Sequence, residues 1–155
     1  MGATINESAE VSGIIGSVEE DGLPVIYALV PELPRKSRRI ELPHLAVVSW
    51  KYDGSQRNGM PDLDTNERML QLEGILSESF EEKTGSAHAY HRTGNGLKEF
   101  AYYVADPGAF MTEINRSLKG LPRFPIDIKF YHDEEWSDFR DLVAMFQSSE
   151  GMADA

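Results

Sequence analysis

Apolar and polar residues alternate along this chain in short blocks, each closed by a turn or cap residue, and the blocks read as six strands and three helices. Gly13-Ile14-Ile15-Gly16-Ser17-Val18 and Pro24 to Val30 are β-favouring runs on either side of Asp21-Gly22, a dipeptide suited to the positive backbone angles of a tight hairpin. Pro31 and Pro34 end that ladder, because proline has no amide hydrogen to give. The next strand spans Leu45 to Tyr52, with Ala46, Val48, Trp50 and Tyr52 on one face and Leu45, Val47, Ser49 and Lys51 on the other. Apolar residues on both faces place it centrally in a sheet.

The period then changes. Asp64-Thr65-Asn66-Glu67 resembles a capping box, and Met69, Leu72, Leu76 and Phe80 recur at helical spacing, so a helix is expected from there to about Lys83, ending near Gly85. Ala87 to His91 and Leu97 to Val104 are strands joined by Gly94-Asn95-Gly96, whose Asn-Gly pair is a strong hairpin signal. Asp106 caps a second helix, with Pro107 at its first position and Phe110, Ile114, Leu118 and Leu121 as its stripe; Gly120 and Pro122 close it. Ile126, Ile128 and Phe130 alternate with Asp127, Lys129 and Tyr131, the pattern of a strand on a sheet with one face partly open. Asp133 is expected to cap a third helix with the stripe Trp136, Phe139, Val143 and Phe146.

From Leu45 onward the order strand, helix, strand, strand, helix, strand makes two split β-α-β units. The expected fold is therefore α+β: a ferredoxin-like split β-α-β sandwich, its first two helices on one sheet face, with an N-terminal β-hairpin and a C-terminal helix. Neither the hairpin nor the last helix can be placed from the pattern. A single domain over residues 11–146 is expected, with 1–10 and 147–155 as flexible tails because they carry no apolar periodicity.

Composition narrows the function classes. The 155 residues hold 26 acidic against 15 basic side chains, a net charge of −11 that repels phosphate backbones and disfavours nucleic acid as a partner. The chain contains no cysteine, which removes thiolate catalysis and sulfur-ligated zinc. No window approaches the roughly 18 apolar residues of a membrane span, and the N-terminal segment has no signal-peptide pattern, so a cytoplasmic location is expected.

Candidate chemistry is sparse. His44, His88, His91 and His132 could serve as bases or ligands, but His88 and His91 lie three apart on a strand and strict alternation sends them to opposite faces. No metal site and no cofactor is expected. Gly94-Asn95-Gly96-Leu97-Lys98-Glu99 lacks the last glycine of a dinucleotide loop and joins two strands. Aromatic residues at Trp50, Tyr52, Tyr103 and Tyr131 could stack RNA bases, yet the net charge opposes this and the RNP signature is absent, so packing is the expected role. Arg35, Lys36, Arg38 and Arg39 interrupt the acidic background in one loop, a candidate dock for an acidic segment, including one on a second copy of the chain.

The succession Gly59-Met60-Pro61, Thr93-Gly94-Asn95-Gly96, Asp106-Pro107 with Phe110, Pro122 with Phe124-Pro125-Ile126, and Asp133 with Trp136 and Phe139 resembles the bacterial domain of unknown function 695 family over about residues 13–146. That family's last motif often reads Asp-Pro-x-Trp followed by Tyr; here Glu134 and Phe139 stand in place of the proline and the tyrosine. The resemblance implies the fold and no established activity. Similar domains look like the regulator of ribonuclease E activity B family, small acidic proteins that act by binding another protein. The expected function is an acidic binding or regulatory module working by protein–protein contact or self-association, more so than an enzyme. The alternative is an enzyme or small-ligand binder with a site built from His88, His91, Tyr103 and His132.

Overall fold

The computed structural model describes residues 4–7, 13–80 and 85–154. Among these residues seven strands form one sheet: β1 (Thr4–Glu7), β2 (Ile14–Glu20), β3 (Leu23–Leu29), β4 (His44–Lys51), β5 (Ser86–Gly94), β6 (Leu97–Val104) and β7 (Ile126–His132). Every neighbouring pair is antiparallel, in the order β1-β2-β3-β5-β6-β4-β7. Four helices among the described residues accompany it: α1 (Lys36–Glu41), α2 (Leu63–Phe80), α3 (Pro107–Leu118) and α4 (Ser137–Asp154). The architecture is α+β.

The turn chemistry acts as expected. Asp21-Gly22 and Asn95-Gly96 are both two-residue hairpin loops with positive φ at both positions (55° and 79°; 49° and 74°). The β2–β3 hairpin extends the sheet through β3, which pairs with β5. At the end expected to be a tail, Thr4–Glu7 adds a further strand beside β2. At the other end α4 runs to Asp154.

The sheet separates two apolar clusters. On one face Ala46, Val48 and Trp50 of β4 and Phe100, Tyr102 and Val104 of β6 pack under Met69, Leu72, Leu76 and Phe80 of α2 and Phe110 and Ile114 of α3. On the other face Leu45 and Val47 of β4, Tyr90 of β5 and Ala101 and Tyr103 of β6 meet Trp136 and the α4 residues Phe139, Leu142, Val143 and Phe146. The two faces thus follow directly from the period-2 alternation of the central strands.

Several local expectations are corrected. The basic segment read as a loop contains the short helix α1. Asp62, not Asp64, caps α2, its carboxylate accepting the Thr65 amide at 2.8 Å, so Asp64 falls within the first turn. The end of that helix expected near Lys83 lies outside the described residues. Leu121 follows α3 and is exposed, because Gly120 at φ 82° has already turned the chain away. The last helix begins at Ser137, four residues beyond Asp133.

Candidate functional site

The long helix α4 covers only part of its face. Beside its first turn, the side chains of β4, β6 and β7 are left as the floor of an open groove of about 800 Å³. Register fixes the floor: Glu99, Ser49 and Asp127 lie side by side across β6, β4 and β7, and Val47 and Lys129 form the next row. Leu97 and Lys51 close one end, while Tyr131, Tyr90 and the start of α4 at Ser137 and Asp138 form the other.

Loss of solvent raises the Glu99 carboxyl above its ordinary range; Arg92 opposes the rise, and Asp138 and Glu20 add to it. Asp138 is raised in the same way, opposed by the 3.0 Å hydrogen bond it accepts from the Tyr90 hydroxyl and reinforced by Asp133 and Asp141. Perturbed carboxyls lining one open groove mark a candidate binding surface.

Asp133 ties the groove to the start of α4. Its carboxylate accepts the Ser137 amide at 2.8 Å and the Asp138 amide at 3.2 Å, capping the helix from outside its first residue. It also accepts the Tyr103 hydroxyl at 2.7 Å, and that oxygen accepts the Phe139 amide at 3.3 Å. Burial, then the Asp133 bond, raises the Tyr103 hydroxyl's pKa, so it remains a proton donor. Tyr103 lies flat on Trp136, with centroids 3.9 Å apart and planes 7° apart. Trp136 itself holds φ 55°, a left-handed conformation unfavourable for a bulky residue, secured by its indole N–H donating to Leu42 O at 2.9 Å.

The other motifs meet at the opposite end of the sheet. The Gly96 amide donates to Gly59 O at 3.0 Å, the Tyr52 hydroxyl donates to the same oxygen at 2.6 Å, and the Tyr52 amide donates to Gly96 O. A side chain at Gly59 would put its Cβ 2.9 Å from the Asn95 nitrogen, so the two loops touch through bare backbone. Buried Arg92 completes the joint, donating to Gly94 O, Leu97 O and both carboxylate oxygens of Glu20.

The model of a family of unknown function, DUF695, matches residues 17–143. The chain belongs to this family. Neither a curated protein nor a solved structure matches it. The motifs that carried the resemblance occupy turns, caps and the Tyr103–Asp133–Trp136 joint in this chain.

His88 and His91 do not point to opposite faces. A bulge at Ala89 sets Ala89 and Tyr90 together in the α4-side cluster and returns His91 to the side of His88, with their rings edge to face at 4.4 Å. Nothing in the alternation announces a bulge, although two apolar residues between two polar ones are a trace of it.

The pair lies on the α2 side. His91 Nδ1 is 3.2 Å from Glu73 Oε1, Lys98 Nζ donates to Thr93 Oγ1 at 2.7 Å, and both Nε2 atoms are buried without a hydrogen-bond partner among the described residues. Burial lowers His88 to a pKa of about 3; His91 adds to the fall and Glu73 opposes it. The His91 hydrogen bond holds Glu73 below the ordinary carboxylate range, against the effect of burial.

Tyr103 faces the opposite side of the sheet, and His132 lies exposed on β7 with its ring 5.4 Å from that of His44. The four residues of the ligand-site alternative are therefore spread over three places. Among the described residues no group of three or more His, Cys, Asp or Glu is placed to hold a metal, and no helix is long and apolar enough to cross a membrane.

Of the basic cluster, Arg35 and Lys36 are exposed, whereas Arg38 donates to Ser86 O at 2.9 Å and Arg39 donates to Pro34 O. Half of that charge is engaged in holding α1 to its own domain.

Proposed function

We propose that the protein is a cytoplasmic regulatory module of ferredoxin-like fold that receives a basic segment of another protein in the groove over β4, β6 and β7. The strand order β5-β6-β4-β7 supports the fold reading: each β-α-β unit brackets a strand of the other, and α2 and α3 share one face. The groove carries the functional reading. It is the part of the second sheet face that α4 leaves bare, about 800 Å³ in volume, with apolar floor positions at Val47 and Leu97. Its carboxylates Glu99, Asp127, Asp133 and Asp138 outnumber Lys51 and Lys129, on a chain of net charge −11. Such a surface suits a cationic, partly apolar segment, and its charge speeds encounter with one.

A photo-cross-linking residue at Lys51, in the groove, and a second at Leu70, exposed on α2 across the sheet, test the proposal in the host cell. Capture of one protein from Lys51 and not from Leu70, lost when Ser49→Trp fills the floor, is expected. Equal capture from both positions, or none from Lys51, refutes it.

A further inference from the structure

β7 ends the sheet, and its outer backbone edge has no partner among the described residues. Exposed edges of this kind accept another strand unless charge or shape prevents it. The strand Ile126-Asp127-Ile128-Lys129-Phe130-Tyr131-His132 holds one acidic and one permanently basic residue, so it is locally balanced on a chain that is otherwise strongly acidic. Its apolar residues Ile126, Ile128 and Phe130 are only half-buried against the α2 and α3 cluster. The core side of the last strand is thus only partly covered.

We propose that β7 pairs antiparallel with β7 of a second copy of the chain, about a twofold axis at Ile128. A twofold perpendicular to the sheet keeps every side chain on its own face, which limits the registers to those centred on a residue. Centring on Asp127 or on Lys129 sets like charges directly opposite each other. Centring on Phe130 leaves Lys129 facing Tyr131 and the aspartate unmatched. Centring on Ile128 places Asp127 opposite Lys129 twice, and on the other face sets Ile126 against Phe130 and Ile128 against itself. That register satisfies charge and apolar surface together, and opposite-charge and apolar cross-strand pairs are the stabilising units of a sheet.

The pairing also bears on the groove, because Asp127, Lys129 and Tyr131 line it. In the dimer the two grooves adjoin across the axis and share a wall made by both copies. The dimer is read on the purified chain without any groove occupant, so its failure and that of the binding reading are distinguishable.

Sedimentation of the purified chain over a range of concentrations tests the inference. A reversible monomer–dimer equilibrium is expected. Lys129→Asp and Asp127→Lys each set like charges across the axis and are expected to raise the dimer dissociation constant at least about tenfold. The double variant D127K/K129D restores the dimer, and mixing the two single variants yields a heterodimer, because each then supplies the charges the other lacks. Both side chains are exposed, so unchanged circular dichroism and melting confirm that each variant is folded. A wild-type chain that is monomeric throughout, single variants that dimerise as well as wild type, or a mixture no heavier than its components would overturn it.

Discussion

Replacing His88 by phenylalanine makes the chain less sensitive to acid. The imidazole is buried beside His91 and Tyr102 with its Nε2 unpartnered, and burial holds its pKa at about 3 in the folded protein against 6.5 for the unperturbed side chain. Between those two values the unfolded chain binds a proton that the native chain does not. Stability is therefore full above pH 6.5 and falls as pH drops through 6.5 toward 3. From pH 7.5 to 5.5 the loss attributable to this one ring is about 1.4 kcal/mol.

Glu99 and Asp138, whose carboxyls are raised, act with the opposite sign: the native state takes up their protons first, which favours folding as pH falls through their folded values. Both chains carry them, so they cancel in the comparison. Urea unfolding of wild type and His88→Phe at the two pH values measures the difference. Both values lie above the isoelectric point near 4.7, where net charge keeps the chain soluble. The phenyl ring preserves the edge contacts to His91 and Tyr102, and removing the orphaned nitrogen leaves the variant at least as stable at pH 7.5. Equal losses in the two proteins, or a His88 ring that titrates near 6.5 by NMR, would refute the reasoning.

Three further outcomes are expected, each read by denaturant unfolding. Tyr103→Phe removes the donor to Asp133 and leaves the Phe139 amide without its acceptor, a loss of about 1–2 kcal/mol. Gly16→Ala drives a Cβ to 2.2 Å from the fully buried Phe146 ring and costs about 1–3 kcal/mol, an effect that shrinks in a Phe146→Leu background; undiminished cost there argues against the clash. Arg92→Met strands the Gly94 and Leu97 carbonyls and unpairs Glu20, destabilising by about 2 kcal/mol, with Arg92→Lys recovering only part because its single nitrogen cannot stand where two guanidinium nitrogens reach the carbonyls and the carboxylate.

Local chemistry wrote most of the framework into the residues. The stripe Met69, Leu72, Leu76 and Phe80, the Asp106-Pro107 cap and the Asn95-Gly96 turn each depend on near neighbours in sequence, and each occurs where the pattern places it. What was hidden depends on distant partners. The start of α4 is set by Asp133 reaching across a left-handed Trp136, a conformation bought by stacking on Tyr103 from another strand. The His88–His91 contact arises from one bulged residue, which inverts every facing argument made across it. The groove was legible only as the Ile-Asp-Ile-Lys-Phe-Tyr alternation of β7; how far α4 would cover that face is a matter of helix direction, which no periodicity encodes.

The joint between the loop at Gly59 and the Asn95-Gly96 turn has a kinetic consequence. A hairpin-tip amide ordinarily meets water and exchanges its hydrogen almost as fast as in an unfolded peptide. The Gly96 amide is instead clamped to Gly59 O by a segment that arrives from the end of β4, so its hydrogen can leave only when that segment lifts away. Its exchange rate therefore times the opening of one end of the sheet, and gives the protein a built-in clock for the loss of its framework at a residue where most hairpins are silent.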